Sequence, residues 1–341
     1  MTTKLFVKKL AICLVTICAL YGLSSCHKKY DNPAPKPTPP VATGQWTKLS
    51  ALNKGVNVLE LVNNTIYAGI GNNLYISNDE GSTWTSSEIG KPGLADVTAI
   101  KVFNNTIYAG TNATGVFSST DGGRNWTSNG PLLNTGVTSF AERNGKLFLG
   151  TDGDGVFALN QAANKWEAFN NNLPRIITSF LVFKILNTGN TLVAAAGVNS
   201  TFYHYDFDHS MWVESGLPKW GSYLVDVIYD NGAVIGIGTE RKIIRSENNG
   251  IDWTYDTKDL QETLPGAINN EKIYAGSLKY YVLINTIQGG WVQQRDKTAA
   301  VGSSWANGQE FLSKIHLAGI VELNNKLFLA SDSGLYIKKL K

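Results

Sequence analysis

The sequence predicts an all-β fold, a seven-bladed β-propeller with four-stranded antiparallel blades, from three observations. One short apolar segment recurs seven times at intervals of 39 to 54 residues. A turn rich in Asn and Gly precedes each copy, and tryptophans recur in step with the copies. A four-stranded unit of about 40 residues is typical of a propeller blade. Helical periodicity is absent from the repeats, which supports the all-β assignment.

We interpret the recurring segment as the second strand of each blade. Its copies are Ile66–Gly69, Ile107–Gly110, Leu147–Gly150, Leu192–Ala195, Val234–Ile237, Ile273–Gly276 and Leu327–Ala330. The turns before them are Asn63-Asn64, Asn104-Asn105, Asn144-Gly145, Asn187 to Asn190, Asn231-Gly232, Asn269-Asn270 and Asn324-Asn325. Asn and Gly tolerate the positive φ that tight β-hairpins require, so each turn predicts a hairpin.

Apolar segments such as Val97–Phe103 precede the hairpins as inner strands, and segments such as Gly334–Ile337 follow them as third strands. The fourth strand is marked by a tryptophan in six repeats, at Trp84, Trp126, Trp166, Trp212, Trp253 and Trp291. The seventh, Trp46, lies at the other end of the domain. We therefore predict that the N-terminal strand around Trp46 completes the last blade. Closure of the ring removes exposed sheet edges and argues against the alternative, an open solenoid.

The first 25 residues differ from the repeats. Three lysines precede an apolar run from Leu10 to Leu23, which is too short to span a bilayer comfortably. This pattern predicts a signal peptide over residues 1–25. Three of the 30 Lys and Arg residues lie there, so the mature chain has 27 basic and 27 acidic residues. Such a balance argues against a nucleic-acid partner.

The signal peptide ends in Leu23-Ser-Ser-Cys26, which resembles the lipobox of bacterial lipoproteins. The resemblance implies that Cys26 is acylated and becomes the mature N-terminus, and acyl chains of this kind give stable membrane attachment. Ordinary secretion with cleavage nearby is the alternative. The residue after Cys26 is not Asp, which favours the outer membrane, on its periplasmic or cell-surface side.

Residues 26–44 are predicted to be a tether between the lipid and a propeller at residues 45–341. Five of the ten prolines fall between Asp31 and Gly44, which is typical of an extended, polyproline-like spacer. At about 3.1 Å per residue this stretch spans about 40 Å.

The cysteines and histidines indicate no disulfide, metal or cofactor in the mature domain. All three cysteines, Cys13, Cys18 and Cys26, lie at or before the lipobox. The four histidines are scattered and lack the spacing of a zinc or iron-sulfur site.

Three of the turns before a tryptophan share a pattern of Ser, Asp or Asn, Gly and Trp. The residues are Ser77, Asp79, Gly81 and Trp84; Ser119, Asp121, Gly123 and Trp126; and Ser246, Asn248, Gly250 and Trp253. The pattern SxDxGxxW resembles the Asp-box of BNR-repeat propellers, with Asn in place of Asp in the third copy. We expect a structural role, in which Asp or Asn caps backbone N–H groups, Gly supplies an unusual backbone angle and Trp packs under the next blade.

The resemblance covers essentially the whole mature domain. It implies kinship with a group that includes sialidases, xyloglucan hydrolases, the sortilin ectodomain and the photosystem II assembly factors, the last being seven-bladed. It implies a fold and not a function. The Phe-Arg-Ile-Pro motif of the sialidases is absent, because Pro174-Arg175-Ile176 does not match it.

Candidate binding residues are expected at the end of the propeller opposite the Asp-box turns, on second-to-third strand turns and blade-to-blade loops. They are Arg175, Trp220, Tyr223, Glu240, Arg241, Arg295, Trp305, Asp152, Asp154 and Asp332. Trp220 and Trp305 stand outside the repeat register, and Arg295–Phe311 is the longest insertion among the blade-to-blade loops.

Each group of candidates has two interpretations. A loop tryptophan stacks on a sugar ring or fills a protein hot spot, or it covers the edge of a blade. Arg175, Arg241 and Arg295 suit a carboxylate clamp if they share a face, whereas surface salt bridges are the commoner use of arginine. Asp152 and Asp154 resemble part of a calcium loop, but the remaining ligands are missing and we interpret the segment as a turn.

We therefore expect a monomeric, membrane-anchored recognition module that binds a glycan or a protein on its loop face. The alternative is a glycoside hydrolase of the sialidase or xyloglucan-hydrolase type. It requires two carboxylates among Asp152, Asp154, Glu240 and Asp332 at about 5 to 10 Å in the channel mouth. A scaffold role like that of the assembly factors rests on blade count alone. No nucleophile motif is present, so no catalytic residue is nominated.

Overall fold

A computed structural model describes residues 46–90, 93, 95–129, 135–173, 182–196, 201–215, 224–238, 242–256, 271–300, 303, 305 and 310–340. All of them belong to the compact unit Pro39–Lys341. In these ranges 28 β-strands form seven four-stranded antiparallel sheets, so the predicted seven-bladed propeller is confirmed. No helix in the same ranges has the length and apolar character needed to cross a bilayer.

The strands follow one another around the ring in chain order. The first is β1 (Thr47–Lys48). Blade 1 contains β2 (Val58–Val62), β3 (Thr65–Ile70), β4 (Asn73–Ser77) and β5 (Thr85–Glu88). Blade 2 contains β6 (Val97–Phe103), β7 (Thr106–Thr111), β8 (Val116–Ser119) and β9 (Thr127–Ser128). Blade 3 contains β10 (Val137–Arg143), β11 (Lys146–Thr151), β12 (Val156–Asn160) and β13 (Lys165–Ala168).

The remaining blades repeat this order. Blade 4 contains β14 (Val182–Asn187), β15 (Leu192–Ala196), β16 (Thr201–Asp206) and β17 (Met211–Glu214). Blade 5 contains β18 (Leu224–Asp230), β19 (Ala233–Gly238), β20 (Ile243–Ser246) and β21 (Thr254–Tyr255). Blade 6 contains β22 (Lys272–Ala275), β23 (Lys279–Thr286), β24 (Gly289–Asp296) and β25 (Glu310–Ser313). Blade 7 contains β26 (Leu317–Leu323), β27 (Lys326–Ser331) and β28 (Gly334–Lys339), with β1 as its outer strand.

The ring closes as the sequence predicts. Strand β1 pairs antiparallel with β28, with Thr47 opposite Ile337, and gives blade 7 the order β1-β28-β27-β26. The indole Nε1 of Trp46 donates a hydrogen bond to Glu310 of blade 6 at 2.5 Å, and Lys338 forms an ion pair with the same carboxylate. The first described residues of the domain thus join its last two blades.

Tight Asn turns connect the first and second strands, as their sequences predict. In blade 1, Asn63 and Asn64 have φ of 47° and 64°, and in blade 2, Asn104 and Asn105 have φ of 49° and 58°. Two successive positive φ values define the type I′ turn, whose twist matches that of the paired strands. The predicted turn at Asn269-Asn270 lies outside the described residues.

The hydrophobic core is divided into seven clusters, and each lies between two adjacent blades. Every cluster includes or contacts one tryptophan of the repeat register. From the contact of blades 7 and 1 around the ring to that of blades 6 and 7, these are Trp84, Trp126, Trp166, Trp212, Trp253, Trp291 and Trp46. The tryptophan of each blade therefore packs against the preceding blade. The prediction that it packs under the next blade is wrong.

Local hydrogen bonds explain the Ser-Asp-Gly-Trp pattern in the turns before the outer strands. In blade 1, Ser77 Oγ accepts a hydrogen bond from Gly81 N at 2.8 Å, and Asp79 Oδ1 accepts one from Thr83 N at 2.8 Å. Gly81 has φ of 79°, where a side chain is strained. The Trp84 indole then donates to Gly81 O at 3.0 Å. The bonds to the Ser and Asp or Asn side chains recur at Ser119 and Asp121 in blade 2 and at Ser246 and Asn248 in blade 5. The indole bond recurs in blade 5, whereas Trp126 donates to Ser87 Oγ of blade 1.

Hydrogen bonds between neighbouring blades satisfy the inner strands, which have no strand partner on the channel side. Register shifts turn single residues of these strands out of the ladder. Thr98 Oγ1 then donates to Val137 O at 2.6 Å, and Thr138 Oγ1 donates to Val182 O at 2.5 Å. A buried backbone group without a partner is costly, so these bonds stabilise the centre of the ring.

Blade 6 departs from the predicted register. The segment that begins at Ile273 lies in the first strand, β22, and not in the second, and Trp291 lies in the third strand, β24, and not in the fourth. The stretch Arg295–Phe311 connects β24 to β25 inside the blade, so its assignment as a blade-to-blade loop is wrong. The reason is that β23 and β24 each have eight residues and carry no copy of the recurring segment.

Replacement of Trp253 by alanine tests the contact between blades. Trp253 is buried and stacks on Phe202 of blade 4, with ring centroids 3.9 Å apart. We expect Trp253→Ala to lower the free energy of unfolding by about 3–5 kcal/mol, because removal of a buried aromatic ring leaves a cavity. Chemical unfolding measures the change. Tyr255→Ala, at an exposed position of the same blade, is the control, and an equal loss in both variants would contradict the interpretation.

Candidate functional site

The inner strands of the propeller surround a central channel. Its volume is about 730 Å³. The inner strands β2, β6, β10, β14, β18, β22 and β26 all contribute to its wall, so every blade takes part. Because the strands run along the channel, side chains at separate points of the sequence face the same lumen.

Charged side chains are concentrated on this wall. They come from six of the seven blades and are Glu60, Lys101, Lys184, Asp226, Glu271, Lys272 and Glu322. Four are acidic and three are basic, so the wall carries both signs of charge. A lumen of this kind suits a ligand that presents hydrogen-bond donors and acceptors or charges of both signs.

Lys184 and Asp226 form the ion pair at the centre of this group. The Lys184 ammonium lies 3.1 Å from Asp226 Oδ1, and Asp226 Oδ2 accepts a hydrogen bond from Ile273 N at 3.1 Å. Lys272 donates to Ala318 O at 3.0 Å. Blades 4 to 7 are therefore linked through side chains that also line the channel.

The pKa values of the wall residues reflect the limited access of water. Burial raises the pKa of the Glu60 carboxyl, although Lys101 and Lys184 oppose this effect. Burial lowers the pKa of the Lys272 ammonium, with Asp226 acting in the opposite direction. The pKa of the Tyr274 hydroxyl is raised well above its ordinary value, again mainly by burial. The lumen thus disfavours uncompensated charge.

Glu322 is held by a set of donors from blade 6. Its carboxylate accepts hydrogen bonds from Ser277 Oγ, from Ser277 N at 3.3 Å and from the Tyr281 hydroxyl at 3.1 Å. These bonds fix the carboxylate at the contact of blades 6 and 7. Glu322 therefore has a structural use as well as a place on the wall.

Two of the residues predicted as binding candidates lie inside the protein. Arg295 is 6% exposed and forms a bidentate ion pair with Asp256, at 2.8 and 3.2 Å. Trp305 is 1% exposed, and the Arg295 guanidinium lies 4.9 Å from its ring centroid. Both belong to the contact between blades 5 and 6. This placement corresponds to the packing interpretation of Trp305.

The three aspartates predicted for the loop face are used by turns. Asp152 accepts a hydrogen bond from Gly136 N at 2.6 Å, and Asp154 accepts one from the Thr135 hydroxyl. Asp332 lies 2.9 Å from the ring of His316. Each of these bonds joins a second-to-third strand turn to the start of an inner strand, and none of the three aspartates lines the channel.

The other predicted binding residues lie outside the described residues. They are Arg175, Trp220, Tyr223, Glu240 and Arg241. The predicted carboxylate clamp requires Arg175, Arg241 and Arg295 on one face. The positions of Arg175 and Arg241 stay predictions, while Arg295 is paired with Asp256. In the described ranges, no three His, Cys, Asp or Glu side chains come together as a metal site would require.

The charged residues of the wall were absent from the sequence-based candidates. The inner strands are apolar segments in the sequence, and binding residues were expected on loops. A charge within a predicted inner strand is the signal that identifies them, as at Lys101 in Val97–Phe103 and Asp226 in Leu224–Ile228. A charge in a buried strand requires a partner or a solvent-filled lumen.

Residues 49–279, more than half of the chain, match the family described as the DUF6242 beta propeller domain. The chain belongs to this family. None of the curated proteins matches it.

Solved structures share the fold of this DUF6242 propeller at low sequence identity. YCF48 bound to D1 peptide is 14% identical, with a TM-score of 0.62 over 89% of this chain and 97% of that chain. YCF48 from Cyanidioschyzon merolae is 10% identical, with a TM-score of 0.63 over 86% and 98% of the two chains. The extracellular domain of BT4673 from B. thetaiotaomicron is 14% identical, with a TM-score of 0.61, and covers 86% of this chain and 39% of that chain.

The raised pKa of Glu60 predicts a pH-dependent effect of Glu60→Gln. A carboxyl whose pKa is raised by folding contributes stability that is present below its unfolded pKa and is lost as pH rises through its folded pKa. The Glu60→Gln variant does not lose stability as pH rises in this range, because its amide side chain does not ionise. We expect its free energy of unfolding to exceed that of the wild type at pH 8 and to approach it at pH 4.

Chemical unfolding at both pH values measures this difference. Glu142→Gln, at an exposed position of the inner strand β10, controls for the loss of a negative charge. A stability difference of the same size at pH 4 and pH 8 would show that burial of the Glu60 carboxylate has no effect.

Proposed function

We propose that this DUF6242 propeller is a lipid-anchored recognition module outside the cytoplasm that binds a segment of a protein partner at its central channel. The observation that carries the proposal is the charged channel of about 730 Å³, to which all seven blades contribute. A ring of this kind surrounds an extended segment from all sides and offers it both signs of charge. In protein–protein recognition, a few buried and well-packed residues supply most of the binding free energy.

Two wall residues are suited to a ligand because neither makes a hydrogen bond or a short ion pair, although the charges of Lys101 and Lys184 act on the Glu60 carboxyl from a longer distance. Among the described residues, neither the Lys101 ammonium nor the Glu60 carboxylate has a hydrogen-bond or ion-pair partner within contact distance. They lie on the adjacent inner strands β6 and β2. A ligand that supplies a carboxylate and a donor at matching positions would satisfy both groups.

A solved relative of the same fold supports a peptide ligand. YCF48, which is 14% identical to this chain, has been solved bound to D1 peptide. At 14% identity the similarity shows a shared fold only. The peptide ligand of the present chain is therefore our inference. The charges of the channel wall supply the independent argument.

Among the aromatic candidates, Trp305 lies in the described part of the chain, and its position favours a protein segment over a glycan. Trp305 is buried against Arg295 and so offers no exposed ring for a sugar. The glycoside hydrolase alternative has no support from Asp152, Asp154 and Asp332, because turns occupy these carboxylates. We therefore propose recognition without catalysis.

Binding of short peptides tests the proposed function. Random 12-residue peptides displayed on phage are selected on the full chain, and their affinities are then measured with the wild type and with Lys101→Ala. We expect selected peptides to bind the variant about tenfold more weakly, since one charge-assisted contact is lost. Lys279→Ala, on β23 outside the channel wall, is the control. Glycan-array binding without peptide binding would overturn the proposal.

The lipid anchor predicts a separate result at Cys26. In a bacterial host, the wild type should incorporate an alkyne-labelled fatty acid and sediment with the outer membrane. Cys26→Ser should lose the label and leave the membrane fraction, because no other cysteine follows position 26 in the sequence. Equal labelling of both chains would show that Cys26 is not the acylated residue.

A further inference from the structure

The chain enters the propeller at one defined end. In each blade the first-to-second and third-to-fourth strand turns lie at one end, which we call the lower end, and the second-to-third turn lies at the other. Strand β28 runs from the upper end to the lower end, and β1 is antiparallel to it. Trp46, just before β1, therefore lies at the lower end, where the Lys338 ammonium approaches its ring at 5.7 Å. The segment that leads back to Cys26 starts there.

Exposed apolar side chains occupy the same end in three consecutive blades. Phe207 and Ile251 lie in the third-to-fourth strand turns of blades 4 and 5, and Leu278 lies in the first-to-second turn of blade 6. Phe207 and Ile251 are each 43% exposed, and Leu278 is 75% exposed. Among the described residues, only two further large hydrophobic side chains are exposed, Tyr255 in β21 and Ile287 in the upper turn of blade 6.

The position of these residues is more informative than their number. Single exposed apolar side chains are common on soluble proteins and need no explanation. Here one stands on each of three neighbouring blades, at the end where the chain leads to the predicted anchor. Phe207 is also held in place, because the Arg143 guanidinium lies 4.7 Å from its ring centroid and Tyr205 packs against it at 4.8 Å.

We infer that Phe207, Ile251 and Leu278 form a docking surface for the membrane in which Cys26 is anchored. The inference rests on the lipid anchor proposed above. Trp46 lies 20 positions after Cys26, and the spacer predicted from the sequence reaches about 60 Å over this distance at about 3.1 Å per residue. A tether of this length lets the domain reach the bilayer and keeps its lower end at a high effective concentration near the lipid.

Contact with lipid removes the three apolar side chains from water. Insertion of aromatic and aliphatic side chains at the headgroup level is the usual mode of attachment for peripheral surfaces of this kind. The lower end then faces the bilayer. The upper end, with the upper mouth of the channel, points away from the membrane and toward a protein partner.

Site-specific fluorescence on the full, lipidated chain tests this orientation. Every natural cysteine lies at or before position 26, so Leu278→Cys and Ile251→Cys each provide one thiol for an environment-sensitive dye. The proteins are reconstituted into vesicles of phosphatidylethanolamine and phosphatidylglycerol that contain a spin-labelled lipid as quencher. Ile287→Cys is the matched control, because Ile287 is also 75% exposed and lies at the upper end.

We expect the dye at positions 278 and 251 to lose more than half of its fluorescence to the lipid quencher, and the dye at position 287 to lose little. Flotation of the same vesicles reports anchoring independently. A chain that floats but shows equal quenching at all three positions overturns the docking surface and leaves the anchor in place. A chain that does not float overturns both. Shielding of positions 278 and 251 from a water-soluble quencher without lipid quenching indicates a protein on this surface and also overturns the inference.

Discussion

The open edge of the inner strands is the constraint on which this propeller depends. A strand at the hub has a neighbour on one side only, and its other edge faces the channel. The chain satisfies that edge with side chains from the adjacent blade, as Thr98 and Thr138 do for the carbonyl groups of Val137 and Val182. The same arrangement explains why Asp226 accepts a hydrogen bond from Ile273 N and also pairs with Lys184. Polar residues at the hub therefore serve the fold first, and the charges left unpaired are the ones available to a ligand.

Much of the fold could be predicted because its determinants are local in sequence. Asn63 and Asn64 tolerate the positive φ that a tight hairpin requires, and they adopt it here. The tryptophan of each repeat marks one contact between blades. Blade 6 departs from this correspondence between sequence and strand. Trp291 was predicted in the fourth strand and lies in the third, yet it still packs between blades 5 and 6. The recurring tryptophan therefore predicts the contact between blades correctly but predicts its own strand incorrectly. Packing requires the indole to lie between two blades, and more than one strand of a blade can place it there.

The candidate site was harder to predict, since it depends on residues far apart in the chain. Arg295 has the features of a ligand-binding loop residue until Asp256, 39 residues earlier, is seen beside it. Lys101, in contrast, lies in a strand that was expected to be apolar and was not a candidate, yet it faces the lumen. Exposure and pairing follow from the arrangement of blades around the ring. A single sequence gives the turns and the repeat, and the curvature of the ring decides which charges meet.

The pairing of β1 with β28 has a consequence for how the protein is made. The strands β1 and β28 are separated in the sequence by nearly the whole domain. The ring therefore cannot close until the C-terminal residues have left the ribosome. Contacts of such high sequence separation form slowly, because the intervening chain must be ordered first. The nascent blades meanwhile present unpaired edges and half-covered tryptophans. Closure is thus a late event, and a truncated chain that lacks β28 has no strand with which β1 can pair.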